Sequence, residues 1–337
     1  ARDRGLYAEA WELCARAGLV EDPARVDLRP ADHGVALHQL LQVRADVLFH
    51  RSEWREAREV LEHALSLVGQ GVDEAAAMRT RIHYGRVLRV LGELDRAEDE
   101  VRGSLERARE AHDREAVAEG LLVLAGIAWG RGELEECERL AQEGLVLATG
   151  PGLIGARAHL LLALTAVQAS RGQLASAAAG LQEAQALFRD LRMPTARALA
   201  LANLAEVLLG QGDAHGAWEY ASDALQEAEE VGHRLGEAAA RGIRGLAALR
   251  TGAFEDARAE FEAATAAARA LGVQSEIAVP AWHMARLDLE EGDLDAALVN
   301  LDTAAAAARL GDPEHYGPAI EVLRAQVLAC KIGRAHV

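Results

Sequence analysis

Twelve histidines, three cysteines, a single lysine and 53 acidic residues are the side chains of this sequence that could carry chemistry. Their spacing builds none of the arrangements that chemistry needs. A phosphate-cradling loop requires Gly-Lys-Ser/Thr, and the only lysine, Lys331, follows Cys330. Schiff-base chemistry has no other amine to use. No His-Glu-x-x-His pair and no Gly-x-Ser-x-Gly elbow occurs. His33 and His38 lie five apart, a poor spacing for one helix face, and His83 and His283 are far apart in the chain. The carboxylates follow no acid–base motif. Cys14, Cys137 and Cys330 form neither a close pair nor a metal spacing, and their odd number gives no disulfide framework. The sequence therefore predicts no catalytic set, no cofactor site and no metal site.

The elements that would have to position any site are helical. Half of the 337 residues are apolar, yet only 4% are aromatic, and there are 7 prolines. Ala and Leu dominate, and both favour helices. A net charge of -17 repels phosphate backbones, which argues against nucleic-acid binding by this segment. The longest apolar runs, near Leu121–Trp129 and Leu160–Val167, are too short to cross a membrane. Unpaired cysteines suit a reducing compartment, so a cytoplasmic location is expected.

A period of forty organises the chain. Gly92, Gly132, Gly172, Gly212, Gly252 and Gly292 are evenly spaced, and Ser52 holds the same phase one step earlier. Two residues after each stands an apolar side chain, from Trp54 and Leu94 to Phe254 and Leu294. Five after comes a small one: Ala57, Ala97, Cys137, Ala177, Ala217, Ala257, Ala297. Twelve after, and seven before, the residue is again small, as at Ser104 and Ala125. The glycine predicts a left-handed helix end, and small residues mark where helix backbones approach closely. Each repeat then comprises two helices of about 16–18 residues, which bury their apolar faces only by stacking on neighbours.

These residues resemble the tetratricopeptide-repeat family, whose signature is one small residue in the first helix and two in the second, spaced as Gly85, Ala97 and Ser104 are. The usual period of 34 is lengthened here to 40. A 40-residue period also fits HEAT-type repeats, but the Gly-x-Leu-x-x-Ala turn favours the tetratricopeptide reading. The resemblance implies an all-α, right-handed α-solenoid of stacked antiparallel helix pairs, spanning residues 1–330 as one array of seven full pairs with a half at each end. It also implies that the first helix of each pair lines a concave face, toward which residues three and six before each glycine point. Those positions hold Asp46 and Phe49, Arg86 and Arg89, Trp129, Glu206, and Arg286, with Leu209, Leu249 and Leu289 among them. Arg79, Arg250 and Trp282 are expected on the same face. Early repeats offer Arg and aromatics, which suit an acidic or extended peptide; the later Leu stripe suits an apolar helix or internal packing. The Lys- and Asn-based carboxylate clamp of some relatives is missing, with Asn203 the only candidate.

Both ends read as cut. Gly5, Tyr7 and Ala10 repeat the turn pattern with no helix before them, Val20–Pro30 reads as a longer connection, and Pro318–Cys330 reads as the first helix of a further repeat. Residues 331–337 read as a translated sequencing adapter. The expected protein is an interaction or ligand-sensing module of a larger bacterial signalling protein, similar to ATPase-type transcription regulators that carry such arrays. Its expected partners are protein or peptide segments, or a small effector. A stand-alone scaffold or adaptor is the alternative, and an enzyme using the groove a remote one.

Overall fold

The computed structural model describes residues 33–50, 53–68, 72–271, 275–310 and 313–335. Among them no strand occurs beyond a single bridge between Val68 and Val72. The described residues form fifteen α-helices, which the sequence period groups as seven pairs and one further helix. The pairs are α1 (His33–His50) with α2 (Trp54–Ser66), α3 (Glu74–Val90) with α4 (Leu94–Glu110), and α5 (Arg114–Gly130) with α6 (Leu134–Leu147). A 3-10 turn at Pro151–Leu153 leads into α7 (Ile154–Ser170), paired by sequence with α8 (Leu174–Asp190). Then come α9 (Pro194–Gln211) with α10 (Ala214–Val231), α11 (Arg234–Thr251) with α12 (Phe254–Leu271), and α13 (Ser275–Glu291) with α14 (Leu294–Leu310). The last helix is α15 (Pro313–Ala335). The turn expected around Gly5 lies outside the described residues.

The sequence period is the structural period. All six phase glycines adopt positive φ, from 73° at Gly132 to 88° at Gly212, a conformation in which a Cβ would be strained. The residue after the turn caps the next helix when it is short: Asp213 and Asp293, one methylene shorter than Glu, accept hydrogen bonds from the backbone N–H of Gly216 (2.9 Å) and Ala296 (3.0 Å), whereas Glu93 and Glu133 make no such cap. Every small residue five after the turn is fully buried, from Ala57 to Ala297. Gly85 and Gly245 show why: a Cβ on Gly85 would stand 2.2 Å from Val101 Cγ2, and on Gly245 2.5 Å from Phe261 Cε1.

The fold divides into two compact units. The first holds the described residues through Arg171 together with Asp190–Arg192; the second holds Gly172–Arg189 and the chain from Met193. In the first unit Leu61, Ile82, Leu88, Leu121 and Ile127 anchor the core. In the second, Phe261, Ala281, Leu287 and Leu301 do so. Burying each large side chain contributes about 1.5–3 kcal/mol.

Ion pairs follow the same period on the surface. Arg131 pairs with Glu98 and, at 2.6 Å, with Asp95; forty residues on, Arg171 pairs with Glu138 and, at 3.2 Å, with Glu135. In the second unit the signs reverse, with Arg258 reaching Asp288 (2.8 Å) and Glu291 (2.9 Å). Lys331, at the phase of Arg131 and Arg171, meets Asp295 at 2.6 Å.

Candidate functional site

In the first unit, α1, α3, α5 and α7 line a groove of about 380 Å³. Its residues stand mainly 6, 9, 10, 13 and 17 positions before the turns, a spacing of three to four that keeps them on one helix face. Gln42 and Asp46 come from α1, Arg79, Ile82, His83 and Arg86 from α3, Glu115, Glu119, Leu122 and Val123 from α5, and His159 from α7.

The cations of this groove are already neutralised. Arg86 donates to Asp46 at 2.9 Å and lies 2.8 Å from His83 Nε2, which itself sits 3.3 Å from Asp46. Phe49 supports this cluster from behind, with the Arg86 guanidinium 4.3 Å above its ring. Arg79 donates through Nε (2.9 Å) and Nη2 (2.7 Å) to Asp113, whose other oxygen caps α5 at Ala116. That bond holds the Arg79 pKa above its ordinary value, and Arg79, together with the cap, takes the Asp113 carboxyl below its own despite burial.

The anions are not all so matched. Glu115 and Glu119, one helical turn apart on α5, both reach the groove, and neither has a hydrogen bond or ion pair among the described residues. Glu119 keeps an accessible surface, yet protein surrounds its carboxyl as the wall of a concavity does. That desolvation pushes its pKa up, Arg86 opposes the rise, and Glu115 and Asp46 reinforce it.

Of the residues picked from sequence, Asp46, Arg79 and Arg86 line the groove. The positions three before the turn lie elsewhere, because the chain there reverses into the second helix. Phe49 packs against the core behind Arg86. Arg89 lies across Gly126, where a Cβ would come within 3.0 Å of its Cδ and Nε, and burial there, with Arg86 nearby, lowers its pKa. Trp129 is 44% exposed at the end of α5. Leu249 and Leu289 pack against the second core.

In the second unit Trp282 and Arg286 come together, with the guanidinium 5.3 Å from the indole. Both adjoin His283, which is buried, stacked 5.4 Å from Phe261 and set edge-on 4.6 Å from Trp282. Burial, then Arg286 and Arg250, push the His283 pKa down to about 3. Arg250 and Glu206 are solvent-exposed. Sequence reasoning overlooked Glu115 and Glu119; stepping back from the phase of Asp46 and Arg86 by helical intervals would have found them.

This architecture recurs in solved structures. A Rap protein complexed with competence and sporulation factor matches with TM-score 0.66 and 13% identity over 84% of this chain and 80% of its own. The Rap conjugation gene regulator of plasmid pLS20, in complex with the Phr* peptide, matches with TM-score 0.63 and 16% identity over 86% and 79%. The fold is a tetratricopeptide-type solenoid. A third such solenoid match is a signal transduction ATPase with a tetratricopeptide repeat sensor, PH0952 from Pyrococcus horikoshii, with TM-score 0.63 and 16% identity over 86% of this chain but 46% of that one. No family model and no curated sequence matches the chain. Among the described residues no helix is long and apolar enough to cross a membrane, and no group of three or more His, Cys, Asp or Glu could hold a metal ion.

Proposed function

We propose that this solenoid is a non-catalytic interaction module whose first-unit groove holds an extended protein or peptide segment carrying a basic side chain. It acts as the receiving arm of a larger bacterial signalling or transcription-regulatory protein. One observation carries the reading: four consecutive first helices converge on a groove whose arginines are internally paired while Glu115 and Glu119 are not. A guanidinium or ammonium placed between those carboxylates gains charge-assisted hydrogen bonds that the free protein lacks. Two similar structures are named as complexes with a peptide or factor, and a third as an ATPase with a repeat sensor, which supports both halves of the proposal.

The test exposes the full chain to a pool of random N-acetylated hexapeptides and sequences what is retained. Retained peptides enriched in Arg and Lys, with the enrichment lost in the Glu115→Gln/Glu119→Gln variant, support the reading. Retention that ignores basic residues, or is unchanged in that variant, refutes it.

A further inference from the structure

One cation of the groove rests on a nitrogen that a proton would claim. Arg86 Nη2 lies 2.9 Å from Asp46 Oδ1 and 2.8 Å from His83 Nε2. A guanidinium only donates, so Nε2 presents its lone pair and His83 is neutral, with its proton on Nδ1. The same Nε2 stands 3.3 Å from Asp46 Oδ1, close enough to donate there once it carries a proton. The two arrangements exclude each other, because an N–H on Nε2 cannot face a guanidinium N–H at that separation. The His83 side chain is only 12% exposed, so water screens the resulting repulsion weakly. Asp46 is thus an anion over which two cations compete, and the proton on Nε2 decides between them.

The groove also offers a displaced Arg86 somewhere to go. Arg86, Glu115 and Glu119 line the same cavity, and those two carboxylates have no hydrogen bond or ion pair among the described residues. The other charged groups around His83 are engaged. Arg79 is held by Asp113 at 2.7 Å. His38 bonds the Thr80 hydroxyl at 2.9 Å, and burial lowers its pKa, so it stays neutral. His159 lies 2.9 Å from the Gly155 carbonyl on its own helix.

We infer that His83 is a positioning residue of the groove: its unprotonated Nε2 keeps Arg86 on Asp46, and protonation hands Asp46 to His83 and sends Arg86 to Glu115 and Glu119. This rests on the segment-binding reading. Arg86 then occupies the place that the basic side chain of the segment takes. Protonation of His83 and binding of the segment therefore oppose each other, and by linkage each weakens the other by the same factor.

The experiment has two arms, both on the full chain. Without peptide, the imidazole nitrogens of His83 and the Nε–Hε resonance of Arg86 are followed from about pH 7.5 to about pH 5.5, the range in which histidines ordinarily titrate. Nε2 should be unprotonated at the upper end, and both residues should shift with one midpoint. With a probe hexapeptide, N-acetylated and amidated, of five alanines and one arginine, affinity should fall about tenfold over the same range. His83→Gln offers Arg86 an acceptor oxygen that does not titrate. It should bind as the wild type does at the upper pH and lose most of the fall. His83→Lys, charged throughout, should bind weakly at both ends. A proton on Nε2 at the upper pH, or an Arg86 resonance indifferent to the His83 midpoint, overturns the positioning role. A fall in His83→Gln equal to that of the wild type also overturns it and assigns the step to the carboxylates. A chain that binds the hexapeptide at no pH sinks the segment reading, while the peptide-free arm still decides whether His83 sets the place of Arg86.

Discussion

Two glycines three residues apart on α11 should respond in opposite directions to the same change. At Gly242 an added Cβ meets nothing within 4 Å, while at Gly245 it would stand 2.5, 2.6 and 3.0 Å from Cε1, Cδ1 and Cζ of Phe261. Phe261 is fully buried and stacked on His283, so its ring has little room to retreat. Replacing either glycine by alanine removes backbone freedom from the unfolded chain, a gain of about 0.5–1 kcal/mol. At Gly242 that gain stands alone. At Gly245 it is opposed by overpacking of about 1–3 kcal/mol. Since the propensity term cancels between them, Gly242→Ala should exceed Gly245→Ala in stability by about 1–3 kcal/mol. For a unit of this size that is a separation of about 2 to 12 °C in melting temperature. The assay is thermal and urea unfolding followed by circular dichroism, with hydrogen exchange of α11 amides to localise the effect. Adding Phe261→Leu should cost less in the Gly245→Ala background than in the wild type, because the smaller side chain relieves the overlap. If the two alanine variants melt together, close packing at the small positions does not explain why they are small.

Further outcomes follow from individual residues. The Glu119 carboxyl has a raised pKa in the folded chain, so its ionisation opposes folding above that pKa and the penalty fades as pH falls through it. Glu119→Gln should therefore be more stable than wild type at pH 7, by a margin that shrinks in acid, while retaining fewer basic peptides. Neutralising Glu98 and Arg131 to Gln, singly and together, should give a coupling of no more than about 1 kcal/mol in a double-mutant cycle, because the pair lies at the surface. Cys137 is buried and its thiol pKa is pushed up to about 11, whereas Cys330 is exposed. A thiol reagent should modify Cys330 in the native chain and Cys137 only on unfolding, as read by peptide mass mapping.

The repeat was legible because packing imposes it on residue type. Ala97 and Ala257 are fully buried where the helices pack, which leaves room only for a small side chain, and Gly92 and Gly292 are glycines since their φ is positive. The opposite turns were less visible. His112 and Arg192 take φ of 55° and 56° where Gly232 takes 69°, so side chains tolerate the left-handed region there and the glycine signal is lost. The groove was only half legible. Asp46 and Arg86 stood out singly, but their pairing joins residues forty apart, which no local spacing reveals. For the same reason Arg79 and Arg86 counted in sequence as sites for an acidic partner, although Asp113 and Asp46 occupy them. What distinguishes Glu119 is the lack of a partner, and that emerges only when the neighbouring helices are in place.

The most direct test of the account asks which face of the helix pairs meets the bound segment. A photo-crosslinking benzoylphenylalanine is placed at Leu122, on the groove wall, or at Val146, 75% exposed on the second helix of the same pair. Each full-length variant is irradiated with the random hexapeptide pool and the adducts are mapped. Adducts at 122 enriched in basic peptides, with few at 146, are the predicted result. Equal labelling of both positions, or labelling confined to 146, would contradict the assignment of the groove as the binding face.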